Sequence, residues 1–203
     1  MFPNCIKFCT KNIARGGERL GIYYLEKGAS QRPSKVVYDR AYSSISKATK
    51  EDFDWDQIFE GVEWFHFTGI TPALSDEMAE ICEIACKKAK EKNIHTCLDT
   101  SGIAYNENNQ IFLEKLEKLM AVTDLVMLDI KHIDPEEHKK LCKQPNEQIL
   151  KFAQYLSDIN KDTWIRHVVV PTITFKKNYL HDANLLLFKE TSKRKKAQPK
   201  LSF

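Results

Sequence analysis

A chain of 203 residues and 23.6 kDa is enough for one ordinary domain or two small ones. Hydrophobic residues at 42% and charged residues at 29% are usual globular values and exclude collagen, a long coiled coil and bulk disorder. The net charge of +3 is uneven, because residues 189–203 carry six basic side chains and one acid, +5, and leave −2 for the rest.

In chain order, residues 1–5 lack the apolar core of a secretory leader, and no apolar run approaches the ~18 residues of a membrane helix. A cytoplasmic protein is expected, its six cysteines free thiols or metal ligands rather than a disulfide framework. The runs 21–28 and 34–40 are aromatic and β-branched, and predict a two-stranded antiparallel ribbon. Such a ribbon is marginal alone, so it is expected to lie on something else. Asp54 is an N-cap for a short helix that Gly61 ends. A strand over 63–69 follows, then a helix opened by Ser75-Asp76-Glu77 with Met78, Ile81, Cys82, Ala85 and Ala89 on one face. A strand over 94–99 leads to a helix over 108–120 through Ile111, Leu113, Leu116 and Leu119. Leu125-Val126-Met127-Leu128-Asp129 reads as a strand buried on both faces. Asp134-Pro135-Glu136-Glu137 caps a helix, a second helix covers about 146–160, and 164–170 is the last strong strand. This alternation predicts an α/β fold with a parallel sheet and right-handed crossovers.

Ligands of parallel α/β sheets bind beyond the carboxyl ends of the strands. Asp99 and Asp129 end apolar strands, Lys131 follows Asp129 at the spacing that returns to one face, and Arg166 interrupts an apolar strand. An ion-pair network and a cofactor site account equally well for such a set. Tyr23, Tyr38 and Arg40 alternate toward one side of the ribbon, where they suit either a hydroxylated anionic substrate or a solvated face. Cys5 and Cys9 are four apart, with Asn12 where a third cysteine would complete a cluster motif; two thiolates can help hold zinc, whereas an iron–sulfur cluster wants three or four. Cys82, Cys86 and Cys97 read as core, Cys142 has no assigned role, and His138 reads as a surface residue. All seven glycines lie at or before Gly102, so no glycine-rich phosphate loop follows it. The basic end of the chain reads as a solvated tail rather than a nucleic-acid contact.

Two resemblances divide the chain. Gly21-Ile22-Tyr23-Tyr24-Leu25-Glu26-Lys27-Gly28-Ala29-Ser30, Val37-Tyr38-Asp39-Arg40-Ala41 and Trp64-Phe65-His66-Phe67-Thr68-Gly69-Ile70-Thr71-Pro72-Ala73-Leu74-Ser75 resemble ribokinase-like (PfkB) sugar kinases, above all 2-keto-3-deoxygluconate kinases. The resemblance implies that the ribbon is a lid and that Tyr23, Tyr38 and Arg40 touch a sugar acid. ATP binding is not expected, since this part stops before that family's nucleotide site. Ile94-His95-Thr96-Cys97-Leu98-Asp99-Thr100-Ser101-Gly102, Thr123-Asp124-Leu125-Val126-Met127-Leu128-Asp129-Ile130-Lys131 and Trp164-Ile165-Arg166-His167-Val168-Val169-Val170-Pro171 resemble the pyruvate formate-lyase activating enzymes of the radical SAM class. That resemblance implies S-adenosylmethionine contacts from Asp129, Ile130, Lys131 and Arg166 and a monovalent cation near Asp99, Thr100, Met127 and Asp129. It further implies a [4Fe–4S] cluster, whose cysteine motif this sequence does not contain, and a glycyl-radical enzyme as partner.

The expected organisation is an unassigned 1–14, a sugar-kinase-like 15–92, an activase-like 93–188 and a basic tail 189–203, with the join inside the helix between Ser75 and Asn93. The fold expected is a partial radical-SAM-type barrel preceded by a ribokinase-like ribbon. Neither catalytic set is complete, so the chain is expected to be a truncated hybrid without full activity. Its nearest label is activase-like, and the alternatives are a sugar kinase or a non-catalytic protein.

Overall fold

The computed structural model describes residues 10–29, 32, 34–170 and 174. Cys5, Cys9, the Pro171 end of the last predicted strand and the basic tail lie outside them. The strands form two sheets: an antiparallel ribbon of β1 (Ile22–Glu26) with β2 (Lys35–Asp39), and a four-stranded sheet in the order β3 (Trp64–Thr68), β4 (His95–Thr100), β5 (Leu125–Asp129), β6 (Asp162–Arg166). The β3 and β4 strands run parallel, Trp64 opposite His95 and Thr68 opposite Asp99, as the strand–helix alternation predicts. No helix among the described residues is long and apolar enough to cross a membrane. The chain divides into two units, residues 1–100 with 114–125, and residues 101–113 with 126–203.

In the first unit, the ribbon pairs Tyr23 with Tyr38 and Leu25 with Val36. The bidentate Arg19–Asp39 pair (2.8 and 3.0 Å) fastens it at one end. Contrary to expectation, every residue of β1 is exposed and β2 is covered only at Asp39. Alternation puts apolar side chains on both faces of a two-stranded piece, and one covering layer could hide only one of them. Asp54 Oδ1 accepts from the Gln57 amide (3.1 Å) and so starts α1 (Trp55–Ile58), while Gly61 sits at φ +68° just beyond its end. Phe59, Ala85, Ala89 and Ile94 form a core against which Phe65 packs.

Ser75 Oγ caps α2 (Asp76–Glu91) by accepting from the Met78 amide. The buried face of this helix carries Met78, Ile81, Cys82, Ala85, Cys86 and Ala89. Burial pushes the Cys82 thiol up to about 11 and the Cys86 thiol up to about 12. Because the thiolate is the nucleophile, Ellman's reagent at about pH 8 is expected to leave both unmodified in the folded chain and to label them after denaturation. Prompt labelling of either in the native chain would contradict this packing.

Asp124 pins the entry of β4. It accepts from the Thr96 amide (2.8 Å) and from Lys90 Nζ (2.6 Å), while its own amide donates to Thr96 Oγ1 (3.0 Å). Burial opposes its ionisation, but Lys90 and Thr96 together hold the carboxyl below the usual range. A depressed native pKa contributes stability above the unfolded value and loses it as pH falls through the native one. Asp124→Asn is therefore expected to flatten the loss of unfolding free energy below about pH 4, read from urea melts at stepped pH. An unchanged acid slope would contradict it.

The second unit holds the start of α3 (Gln110–Ala121), most of β5, then α4 (Pro135–Cys142), α5 (Glu147–Asp158) and β6. Asp134 Oδ1 accepts from the Glu137 amide (2.9 Å) and Pro135 occupies the first turn, as predicted. The α5 helix buries Ile149, Phe152, Ala153 and Leu156. Gly102, at φ +70°, lies against the Phe152 ring, and Tyr105, Phe112 and Tyr155 complete an aromatic cluster there.

Three expectations are corrected. His138 is not a surface residue: it is 2% exposed, and its Nδ1 lies 2.8 Å from the Gln144 carbonyl, because the left-handed Lys143 folds the chain back over it. Ile111 is exposed, although the predicted helix face includes it. The last strand ends at Arg166 rather than running to residue 170. Thr174 explains this, since its Oγ1 accepts from the Val170 amide and donates to the Val168 carbonyl (2.7 Å each), which takes those groups away from a ladder.

Candidate functional site

The β5 strand is apolar up to its last residue, and Leu125, Val126 and Leu128 are buried. Asp129 therefore arrives at the strand's carboxyl end with little water to solvate it, its side chain 12% exposed. Two cations answer its charge. Lys131 Nζ is 2.6 Å from Oδ2, and Arg166 Nη2, from the end of β6, donates to the same oxygen at 3.3 Å. The other oxygen, Oδ1, is buried and has no hydrogen-bond partner among the described residues. A buried carboxylate oxygen normally has a donor, so this one has unused accepting capacity.

Ile130 carries this set. Its side chain is 1% exposed, its amide donates to the Arg166 carbonyl (3.0 Å), and its carbonyl accepts from His167 Nδ1 (2.8 Å). The structure thus brings Asp129, Ile130, Lys131 and Arg166 together. The arrangement is a carboxylate between two cations, able to bind a ligand with both an anionic and a hydrogen-donating end. Sequence reasoning missed His167, since histidines spaced without a pattern carry no signal, and its role depends on a carbonyl far away along the chain.

The remaining candidates fall on β4, on β5 and on the ribbon. Asp99 and Thr100 end β4 in the first unit, with the Gly69 amide donating to the Asp99 carbonyl (2.9 Å) and His66 Nε2 3.9 Å from Asp99 Oδ2. A Cβ at Gly69 would come within 3.2 Å of Thr100 Oγ1, so glycine lets the two strand ends approach closely. Met127 is half-buried within β5 in the second unit. On the ribbon, the Tyr23 and Tyr38 rings lie 6.2 Å apart and Arg40 Cζ stands 4.3 Å above the Tyr38 ring, so these three do come together. Among the described residues, no three His, Cys, Asp or Glu side chains group as metal ligands. Cys82, Cys86 and Cys97 are buried, and among the described residues they form no group of three that would suit a cluster.

Comparison with known proteins also divides. The family model of the radical SAM superfamily matches residues 37–182. The pyruvate formate-lyase-activating enzyme of Streptococcus mutans is 58% identical over 86 residues, 42% of this chain and 32% of that protein. That of Listeria monocytogenes is 37% identical over 145 residues, 71% of this chain and 53% of that protein. The chain thus spans about half the length, or less, of these curated relatives. Among solved structures, a 2-dehydro-3-deoxygluconokinase from Thermotoga maritima superposes with a TM-score of 0.55 at 38% identity, covering 77% of this chain and 49% of that one. A domain of a pyruvate formate-lyase-activating enzyme from Bacteroides vulgatus superposes with a TM-score of 0.50 at 21% identity, covering 61% and 70%, and shows the fold alone.

Proposed function

Since the chain belongs to the radical SAM superfamily, we propose that its second unit is an S-adenosylmethionine-binding module of the pyruvate formate-lyase-activating type. The observation that supports this most directly is Asp129: a buried carboxylate with one oxygen paired to Lys131 and Arg166 and the other without a partner among the described residues. S-adenosylmethionine offers a carboxylate for the two cations and an ammonium and ribose hydroxyls for Oδ1. When bound, it supplies the superfamily with a sulfonium centre that one-electron reduction cleaves. The residues of this chain bind and orient it. Ile130 contributes the buried backbone from which Asp129 and Lys131 project, and Arg166 reaches in from the neighbouring strand end.

No radical step is assigned to these residues, since no three described cysteines group to hold the cluster that would deliver the electron. The chain is read as a binding protein made from parts of two enzymes, with the join in α2, rather than as a complete activase. The partner class that goes with this reading is a glycyl-radical enzyme, pyruvate formate-lyase by the names of the relatives. Equilibrium dialysis against labelled S-adenosylmethionine tests it. Saturable binding that weakens ~10-fold or more in Arg166→Ala is expected, as for loss of a charged hydrogen bond. Absence of saturable binding by the unaltered chain would defeat the proposal.

A second reading is favoured by the ribbon. Tyr23, Tyr38 and Arg40 form one exposed group, and the superposed gluconokinase is 38% identical. A sugar acid such as 2-keto-3-deoxygluconate is the ligand that this group suits, with Arg40 on its carboxylate. No ATP consumption dependent on that sugar is expected; its detection would make the kinase reading the better one.

A further inference from the structure

The backbone around Ile130 is fastened on both sides by consecutive residues of one strand end. The Ile130 amide donates to the Arg166 carbonyl (3.0 Å), and the Ile130 carbonyl accepts from the next residue's side chain, His167 Nδ1 (2.8 Å). A carbonyl only accepts, so the ring must carry its proton on Nδ1. The carbonyl of Ile130 and the amide of Lys131 share one rigid peptide plane. His167 therefore holds the Ile130–Lys131 peptide plane, one residue on from Asp129, whose side chain meets that of Lys131 at 2.6 Å. Arg166, the other cation on Asp129, is the neighbour of His167 in the chain. The imidazole N–H thus ties the segment that carries Asp129 and Lys131 to the residue next to Arg166.

We propose that His167 is a positioning residue for the Asp129–Lys131–Arg166 set, acting through the Ile130 carbonyl and not by touching the ligand. The proposal rests on the reading of that set as an S-adenosylmethionine site. It predicts that the donor matters and the ring does not. An asparagine at 167 places its Nδ2 close to where Nδ1 of histidine stands, whereas alanine leaves the carbonyl of a residue that is 1% exposed without its donor.

The test uses the full chain, His167→Ala and His167→Asn, with Arg166→Ala as reference. Two quantities are measured: S-adenosylmethionine affinity by calorimetry, and the exchange rate of the Ile130 amide by NMR or mass spectrometry. Alanine is expected to weaken binding ~10-fold and to speed Ile130 exchange by a similar factor, and asparagine to restore both to within a few-fold. Alanine binding and exchanging like the unaltered chain would overturn the proposal, and so would asparagine behaving like alanine. If the unaltered chain binds no S-adenosylmethionine, the site reading fails by itself. The exchange contrast between alanine and asparagine still decides whether His167 positions this segment.

Discussion

Replacing Gly102 with alanine is expected to lower the thermal midpoint by roughly 5–15 °C. Two effects add at this position. At φ +70° an L side chain is strained by ~1–2 kcal/mol. A Cβ built there would stand 2.6 Å from Cδ1 of Phe152, closer than carbon atoms approach, and a tight 3.2 Å from its Cβ and Cγ. Phe152 is 3% exposed and packed between Tyr105 and Tyr155, so its ring has little room to retreat. Overpacking of this kind costs about 1–3 kcal/mol, a large share of a typical stability of ~5–15 kcal/mol. Gly16 is the control, because a Cβ there meets nothing within 4 Å. Calorimetric scans of the two alanine variants decide the matter, and a Gly102 variant that melts with the Gly16 variant would refute the packing argument.

Asp129→Ala carries the second large effect. It is expected to weaken S-adenosylmethionine binding about 100-fold, since it removes a buried charged acceptor and leaves two cations without their shared anion. The loss has a convenient readout. At a ligand concentration of ~100 times the dissociation constant, binding adds about 2.7 kcal/mol to folding stability. The unaltered chain should then melt several degrees higher with ligand than without, and the alanine variant should show almost no ligand-dependent rise. An equal rise in both would remove Asp129 from the site.

What the sequence makes legible follows the range of the interaction that decides it. Ser75, Asp54 and Asp134 bond to amides three residues on, so their caps are visible in a short window. The β5 strand is visible because burial on both faces leaves an unbroken apolar run, and Asp129 stands out for ending it. His138 is different. Its burial depends on a left-handed turn at Lys143, a residue that gives no local sign of one. The end of β6 depends on the Thr174 hydroxyl, which a β-branched run through Val168, Val169 and Val170 conceals. The ribbon was readable as strands but not as exposed ones, since pairing is a property of two short segments and coverage is a property of everything around them. In the candidate site, the charged residues were legible as interruptions of apolar strands. The tie from His167 to Ile130 was not, because a backbone carbonyl is the same in every residue.

The buried stripe of α2 has a consequence for the changes of length this helix tolerates. An α-helix turns about 100° per residue, so gaining or losing one residue within it would swing Cys86 and Ala89, which are buried, toward solvent. A net change of four residues would leave the stripe within about 40° of its place. Insertions and deletions inside this helix are therefore filtered by rotational phase as well as by reading frame. The changes that survive are those close to a whole number of turns, which return the stripe to its core.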